Sequence, residues 1–114
     1  MLGRLSLMAA ATLFMAGAAS ADPIEGNWRT QSGATAAIHN CGGAFCITLK
    51  SSQYKGKQIG RFAAQGPNEY TGSITDPETD RTYNGRGSLR GRTLQMKGCV
   101  LGGLICKSQT WTKL

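Results

Sequence analysis

Four cysteines, a single histidine and a run of alternating carboxylates are the residues of this 114-residue chain with reactive chemistry to offer. Cys41 and Cys46 flank Gly42-Gly43, and Cys99 and Cys106 flank Gly102-Gly103. There is no C-x-x-C pair, the arrangement that tunes one thiol for exchange. A zinc site of four thiolates is disfavoured because Cys99 and Cys106 stand too far apart for a ligand pair. Disulfides are the remaining chemistry, and four cysteines allow three connectivities. The local pairs Cys41–Cys46 and Cys99–Cys106 are expected, because each encloses a glycine-bearing turn that folds the chain back on itself. Closing such short loops should contribute about 2 kcal/mol each, whereas a bridge from Cys41 to Cys106 could exceed about 4 kcal/mol. Energy therefore favours the long pairing and geometry the short ones.

His39 is the only histidine, and with six acidic residues in the chain a Ser-His-Asp or His-metal arrangement has few ways to be assembled. No catalytic residue, cofactor or metal ligand is expected, and the chain is read as a non-enzyme. Asp76, Glu78 and Asp80 alternate like the opening of a calcium loop, but Arg81 stands where that loop needs glycine and Gly87 where it needs its bidentate glutamate. Asp76-Pro77-Glu78-Thr79-Asp80 reads instead as a strand-to-strand turn. Gly85-Arg86-Gly87-Ser88-Leu89-Arg90-Gly91 has the glycines of a phosphate loop but no helix after them. Positive charge gathers towards the C-terminus in Arg81, Arg86, Arg90, Arg92, Lys97, Lys107 and Lys113. Such a face reads first as a solvated surface that keeps the protein soluble. The alternative is an anionic partner, which in an exported protein is an envelope component such as a phospholipid headgroup, lipopolysaccharide or an acidic glycan, not nucleic acid.

Export is expected from the N-terminus. Met1 to Arg4 carry one positive charge, Leu5 to Ala18 are almost wholly apolar, and Ala19-Ser20-Ala21 has the small-x-small pattern of a signal-peptidase site. The apolar run is shorter than the roughly 20 residues of a membrane-spanning helix. Residues 1–21 are thus read as a signal peptide and 22–114 as a periplasmic or secreted domain. Cleavage takes the chain from 114 residues to 93 and its formal charge from +7 to +6, through loss of Arg4. A domain this small buries a modest core, and an oxidising compartment lets disulfides supplement it.

The elements that must position these residues are strands. No amphipathic helix of useful length is present. Short segments rich in Thr, Ile, Tyr and Leu recur between Gly, Asn, Asp and Pro. Strands are expected at Gly26 to Gln31, Thr35 to Cys41, Cys46 to Ser52, Lys57 to Ala64, Glu69 to Thr75, Arg81 to Leu89, Thr93 to Cys99 and Lys107 to Leu114. Eight strands at near-regular spacing argue for an up-and-down barrel or a sandwich. An eight-stranded barrel is just wide enough to be filled by side chains or to hold one small ligand. Ala36, Ala63, Gly72, Gly85 and Gly87 are small inward candidates that either leave room or allow tight curvature.

The segments DPIEGNW (Asp22 to Trp28), CGGAFC (Cys41 to Cys46), ITDPETDRTYNG (Ile74 to Gly85) and KGCVLGGLICKSQTW (Lys97 to Trp111) resemble the secreted bacterial proteins of the DUF2147 family. The resemblance runs across essentially the whole expected mature chain. Lys50 to Ile59 is compressed relative to a longer, Pro- and Asn-rich middle in many relatives. The resemblance implies a lipocalin-like, or calycin, barrel, an exported location and no established activity. Gly26-x-Trp28 is similar to the G-x-W signature opening calycin barrels, in which the Trp plugs one end beneath a basic side chain. Lys113 is the expected partner, through a cation–π contact.

A site follows from these expectations. On strict alternation Trp111 shares a face with Lys107, Gln109 and Lys113; either it points inward and takes Gln109 with it, or it lies outside. The inward choice makes Trp28, Tyr83, Gln109 and Trp111 the lining of a ligand pocket, with apolar walls and few polar groups. The expected function is binding of a small apolar ligand. The alternative is a protein-interaction module acting through its loops, above all the apolar Val100, Leu101, Leu104 and Ile105. An open interior favours the first, a filled one the second.

Overall fold

The computed structural model describes residues 22–114, so the expected signal peptide lies outside the described residues. Eight antiparallel strands form a closed barrel in which each pairs with the next and the last returns to the first. They are β1 (Gly26–Arg29), β2 (Thr35–Asn40), β3 (Phe45–Leu49), β4 (Gln58–Ala64), β5 (Glu69–Asp76), β6 (Arg81–Arg90), β7 (Thr93–Val100) and β8 (Ile105–Lys113). All eight expected strands are present, and closure excludes the sandwich. Both disulfides are the local ones, Cys41–Cys46 and Cys99–Cys106.

The strand ends that differ from expectation do so for local reasons. β1 stops two residues early because Thr30 turns: its N–H donates to the Ala34 carbonyl and its own carbonyl accepts from Gly33. Gln31 still serves the barrel, since its side-chain oxygen accepts the Thr110 N–H at 2.9 Å. β8 begins two residues early because Cys99 and Cys106 are a registered cross-strand pair, which carries the ladder on to Val100 and Ile105. β3 is framed more tightly than expected, from Phe45 to Leu49.

The barrel has two unlike ends. At one lie the β2–β3 turn with Cys41–Cys46, the β4–β5 and β6–β7 turns, and residues 22–25 before β1. This end is packed solid. Ile24, Trp28, Ile38, Phe62, Tyr70 and Leu94 are all essentially inaccessible. Trp28 donates its indole N–H to the Ile24 carbonyl at 2.9 Å. The Lys113 ammonium lies 5.5 Å from the Trp28 ring centroid and donates to the Pro23 carbonyl at 2.8 Å. The expected plug and its basic cover are both there. Gly26 has a reason to be glycine: its φ is +135°, and a Cβ would come within 3.0 Å of Lys113 Cε.

Small residues inside the barrel make room for one large ring rather than for a ligand. A Cβ on Gly85 would meet Phe62 Cε1 at 2.8 Å and one on Gly87 would meet Phe62 Cε2 at 3.1 Å. Phe62 therefore fills the space these glycines vacate. Ala36 is buried as expected. Ala63 is a correction, because it alternates with inward Phe62 and is exposed on the outer wall.

Tyr70 ties the packed end together: its hydroxyl donates to Asp22 Oδ1. Burial pushes that hydroxyl far above its ordinary range, and the hydrogen bond to Asp22 and the carboxylate's charge push the same way. The folded protein thus holds this proton more tightly than the unfolded chain. The resulting stability is complete below about pH 10 and is lost as pH rises beyond it. Denaturant titrations on both sides of that value should show wild type losing more stability on the alkaline side than Tyr70→Phe; equal losses would remove this tyrosine as the cause. Gly85→Val should cost about 1–3 kcal/mol by overpacking against Phe62, read as a lower unfolding midpoint, and an unchanged midpoint would contradict the packing described.

Candidate functional site: the open mouth of the barrel

At the opposite end, where the β1–β2, β3–β4, β5–β6 and β7–β8 connections lie, the first three of these line a cavity of about 750 Å³ that opens to solvent. Its walls follow from inward positions on the last strands. β6 sends Tyr83 inward and exposes Thr82 and Asn84. β7 alternates buried Leu94, Met96 and Gly98 with exposed Gln95 and Lys97. On β8, Trp111 is inward and buried, which settles its orientation and carries Gln109 and Lys107 to the same face. Ile59, Ile74 and Leu49 complete the apolar walls, and Tyr54 from the β3–β4 connection closes one side.

Polar side chains around the opening, Thr30, Ser32, Ser51, Gln53, Thr75 and Glu78 among them, share the lining with Gln109 and Lys107. Gln109 Oε1 accepts the Trp111 indole N–H at 2.8 Å, so the ring is held by its own neighbour on the strand face. The Lys107 ammonium lies 5.6 Å from the Tyr83 ring centroid and 3.7 Å from Asp76 Oδ2. One cation at the rim is thus shared between an aromatic face and a carboxylate. These groups can hydrogen-bond a polar end of a ligand, while Ile59, Ile74, Met96 and Trp111 offer dispersion contacts.

Three of the four residues expected to line a pocket, Tyr83, Gln109 and Trp111, do come together in this lining. Trp28 does not, since it lies at the packed end as the plug. Ile59, Ile74 and Met96 were not singled out from the sequence. Met96 and Ile74 could have been found by continuing the alternation of their strands inward. Ile59 could not. β3 residues Ile47 and Thr48 pair with Gly60 and Gln58, so Ile59 is the extra residue of a bulge, and it is buried directly beside buried Gly60.

The other sequence candidates have structural placements. His39 is exposed on β2, opposite Cys46. Asp76 to Asp80 form the β5–β6 turn: Asp76 Oδ1 accepts the Glu78 N–H at 2.9 Å, and Asp80 pairs with Lys57 at 2.9 Å. Among the described residues no group of three or more His, Cys, Asp or Glu is placed to hold a metal ion. Gly85 to Arg90 lie within β6, and Gly91 turns into β7.

A closed up-and-down barrel, plugged at one end and open over a cavity at the other, belongs to the small eight-stranded β-barrels, whose interior is either filled by side chains or left open. The chain belongs to the DUF2147 family, described as uncharacterized proteins conserved in bacteria, whose model matches residues 48–113, more than half of the sequence. The matched span runs from the end of β3 through β8 and includes most of the cavity wall; the G-x-W segment and Cys41–Cys46 precede it. No curated protein and no solved structure matches the chain.

The Gln109–Trp111 bond makes a prediction. Gln109→Leu should leave the indole N–H to solvent, cost about 1 kcal/mol in urea unfolding and shift the Trp111 emission. Unchanged emission and stability would mean the two side chains are not joined in solution.

Proposed function

We propose that this protein binds a small, largely apolar ligand in the mouth of its barrel, without covalent chemistry, and that it does so as an exported protein. The observation that carries this reading is the cavity of about 750 Å³ with Ile59, Ile74, Tyr83, Met96 and Trp111 on its walls. A site of that size lies within the range of small-molecule pockets. Fixed apolar walls bind by removing ligand surface from water, at about 25 cal/mol per Å² before the cost of immobilisation. Gln109 and Lys107 supply the polar contacts that would orient a ligand with one polar end. Two disulfides suit an oxidising compartment. Among the described residues no helix is long and apolar enough to cross a membrane. The outer positions of β6 to β8 are polar, including Arg86, Lys97, Ser108 and Thr110, unlike the apolar outer band of a membrane-spanning barrel.

The interaction-module reading draws on one observation, the exposure of Leu101, Leu104 and Ile105. A module acting through loops alone has no use for an open cavity, and the carrier reading accounts for it.

Native mass spectrometry on protein purified from its own host should show an added mass that disappears on denaturation. Ile74→Trp, which fills the cavity from a partly buried wall position, should lower occupancy about tenfold or more while the barrel still folds. A bare wild-type protein in the native spectrum would defeat the carrier reading.

A further inference from the structure

The β7–β8 connection is the most apolar exposed part of the described chain. Leu104 is 85 % exposed, Leu101 67 % and Ile105 46 %. Leucines left in water on a small protein call for an explanation, and here they are not floppy. Cys99–Cys106 closes the base of the loop, and Leu101–Gly103 form a tight turn in which all three φ angles are positive, Leu101 at +55°. A non-glycine residue is uncommon in that region, so the chain holds this leucine outward at some conformational cost.

A second observation lies beside the loop. On the outer wall, register places Thr71 opposite Arg86, Arg86 opposite Lys97, and Lys97 opposite Ser108. Two cations face each other directly across a strand pair, an arrangement that repels. No carboxylate relieves it among the described residues, where the two ion pairs involve Lys57 and Lys107. Arg86 and Lys97 share a shallow groove with Gly103, so the row of cations and hydroxyls adjoins the apolar loop. An anion with several oxygens would relieve the repulsion and accept from both hydroxyls and both cations.

We propose that this face docks the barrel on an anionic phospholipid leaflet. Leu101, Leu104 and Ile105 enter the acyl boundary, and Arg86 and Lys97 take headgroup phosphates. Apolar insertion joined to basic contacts is how proteins bind a leaflet surface without spanning it. The loop rises from the mouth end, so docking brings the cavity to a source of apolar ligand; that purpose rests on the carrier reading, whereas the docking rests on the loop and the charge row.

The test is co-sedimentation of the host-processed protein with phosphatidylglycerol–phosphatidylcholine vesicles and with phosphatidylcholine vesicles. Binding is expected to the first only and to fall at about 1 M salt, where the screening length is about 3 Å. Leu101→Ser with Leu104→Ser should weaken it about tenfold or more, and so should Arg86→Gln with Lys97→Gln. All four side chains are exposed, so folding should be kept, which circular dichroism would verify. No binding, binding to both vesicles alike, or binding unchanged in either double variant would overturn the proposal. So would a solution dimer that Leu104→Ser dissolves in the absence of vesicle binding. Native mass spectra keep the two ideas apart: vesicle binding with no co-purified ligand leaves the docking standing and the carrier reading fallen.

Discussion

The barrel exists because β8 finds its way back to β1, and that seam rests on only two paired positions, Trp28 with Lys113 and Arg29 with Thr112. Lys113 sits at its centre and is tied on its other side to the β6–β7 turn. Its backbone N–H donates to the Arg92 carbonyl, and its carbonyl accepts from the Arg92 guanidinium at 2.7 Å. Its ammonium covers the Trp28 ring and reaches the Pro23 carbonyl. One side chain therefore joins the last strand, the first strand and the segment that precedes it. Gln31 and Leu114 extend the seam through single hydrogen bonds: the Gln31 side-chain oxygen accepts the Thr110 N–H, and the Leu114 N–H donates to the Asn27 carbonyl. An eight-stranded sheet left open here would expose two edges, and closure removes both.

Once the seam is closed, the division of the interior follows. Ile24, Trp28, Phe62 and Tyr70 occupy one half so fully that the inner wall can carry only glycine opposite Phe62. In the other half Ile59, Ile74, Tyr83, Met96 and Trp111 stand around a cavity whose rim is polar. A stable plug and a hollow mouth are thus two parts of one packing arrangement: the core is concentrated where the seam needs support. Each disulfide fastens one end, Cys41–Cys46 at the packed side and Cys99–Cys106 at the mouth, and neither spans the barrel. Short local bridges of this kind contribute about 2 kcal/mol each and mainly fix the shape of the turn they enclose.

Much of this was legible from residue order. Alternation and turn residues marked eight strands, and the glycine pairs between cysteines indicated the local disulfides. The plug and its Lys113 cover came from the resemblance of Gly26-x-Trp28 to the calycin signature, not from residue order alone. The site was legible in part: Tyr83, Gln109 and Trp111 share the cavity because a period of two continues along β6 and β8. Trp28 was grouped with them because an inward aromatic looks the same from the sequence at either end of a barrel. Ile59 escaped because a bulge against β3 moves it to the face that alternation would deny it. Ala63 was misplaced for a related reason, since its size suited an inward position while its parity with Phe62 did not.

The sequence by itself determined the strands and the charge on the last three of them, and it favoured the local bridges. Each of these depends on neighbours along the chain: period-two alternation, turn chemistry and loop closure over a few residues. Only the tertiary structure decided which end is full and which is open, where the bulge lies, and that Arg86 faces Lys97 beside an exposed apolar loop. Those features depend on register and on the volume of side chains brought together from distant strands. Volume is filled or left empty only when the sheet has closed around it.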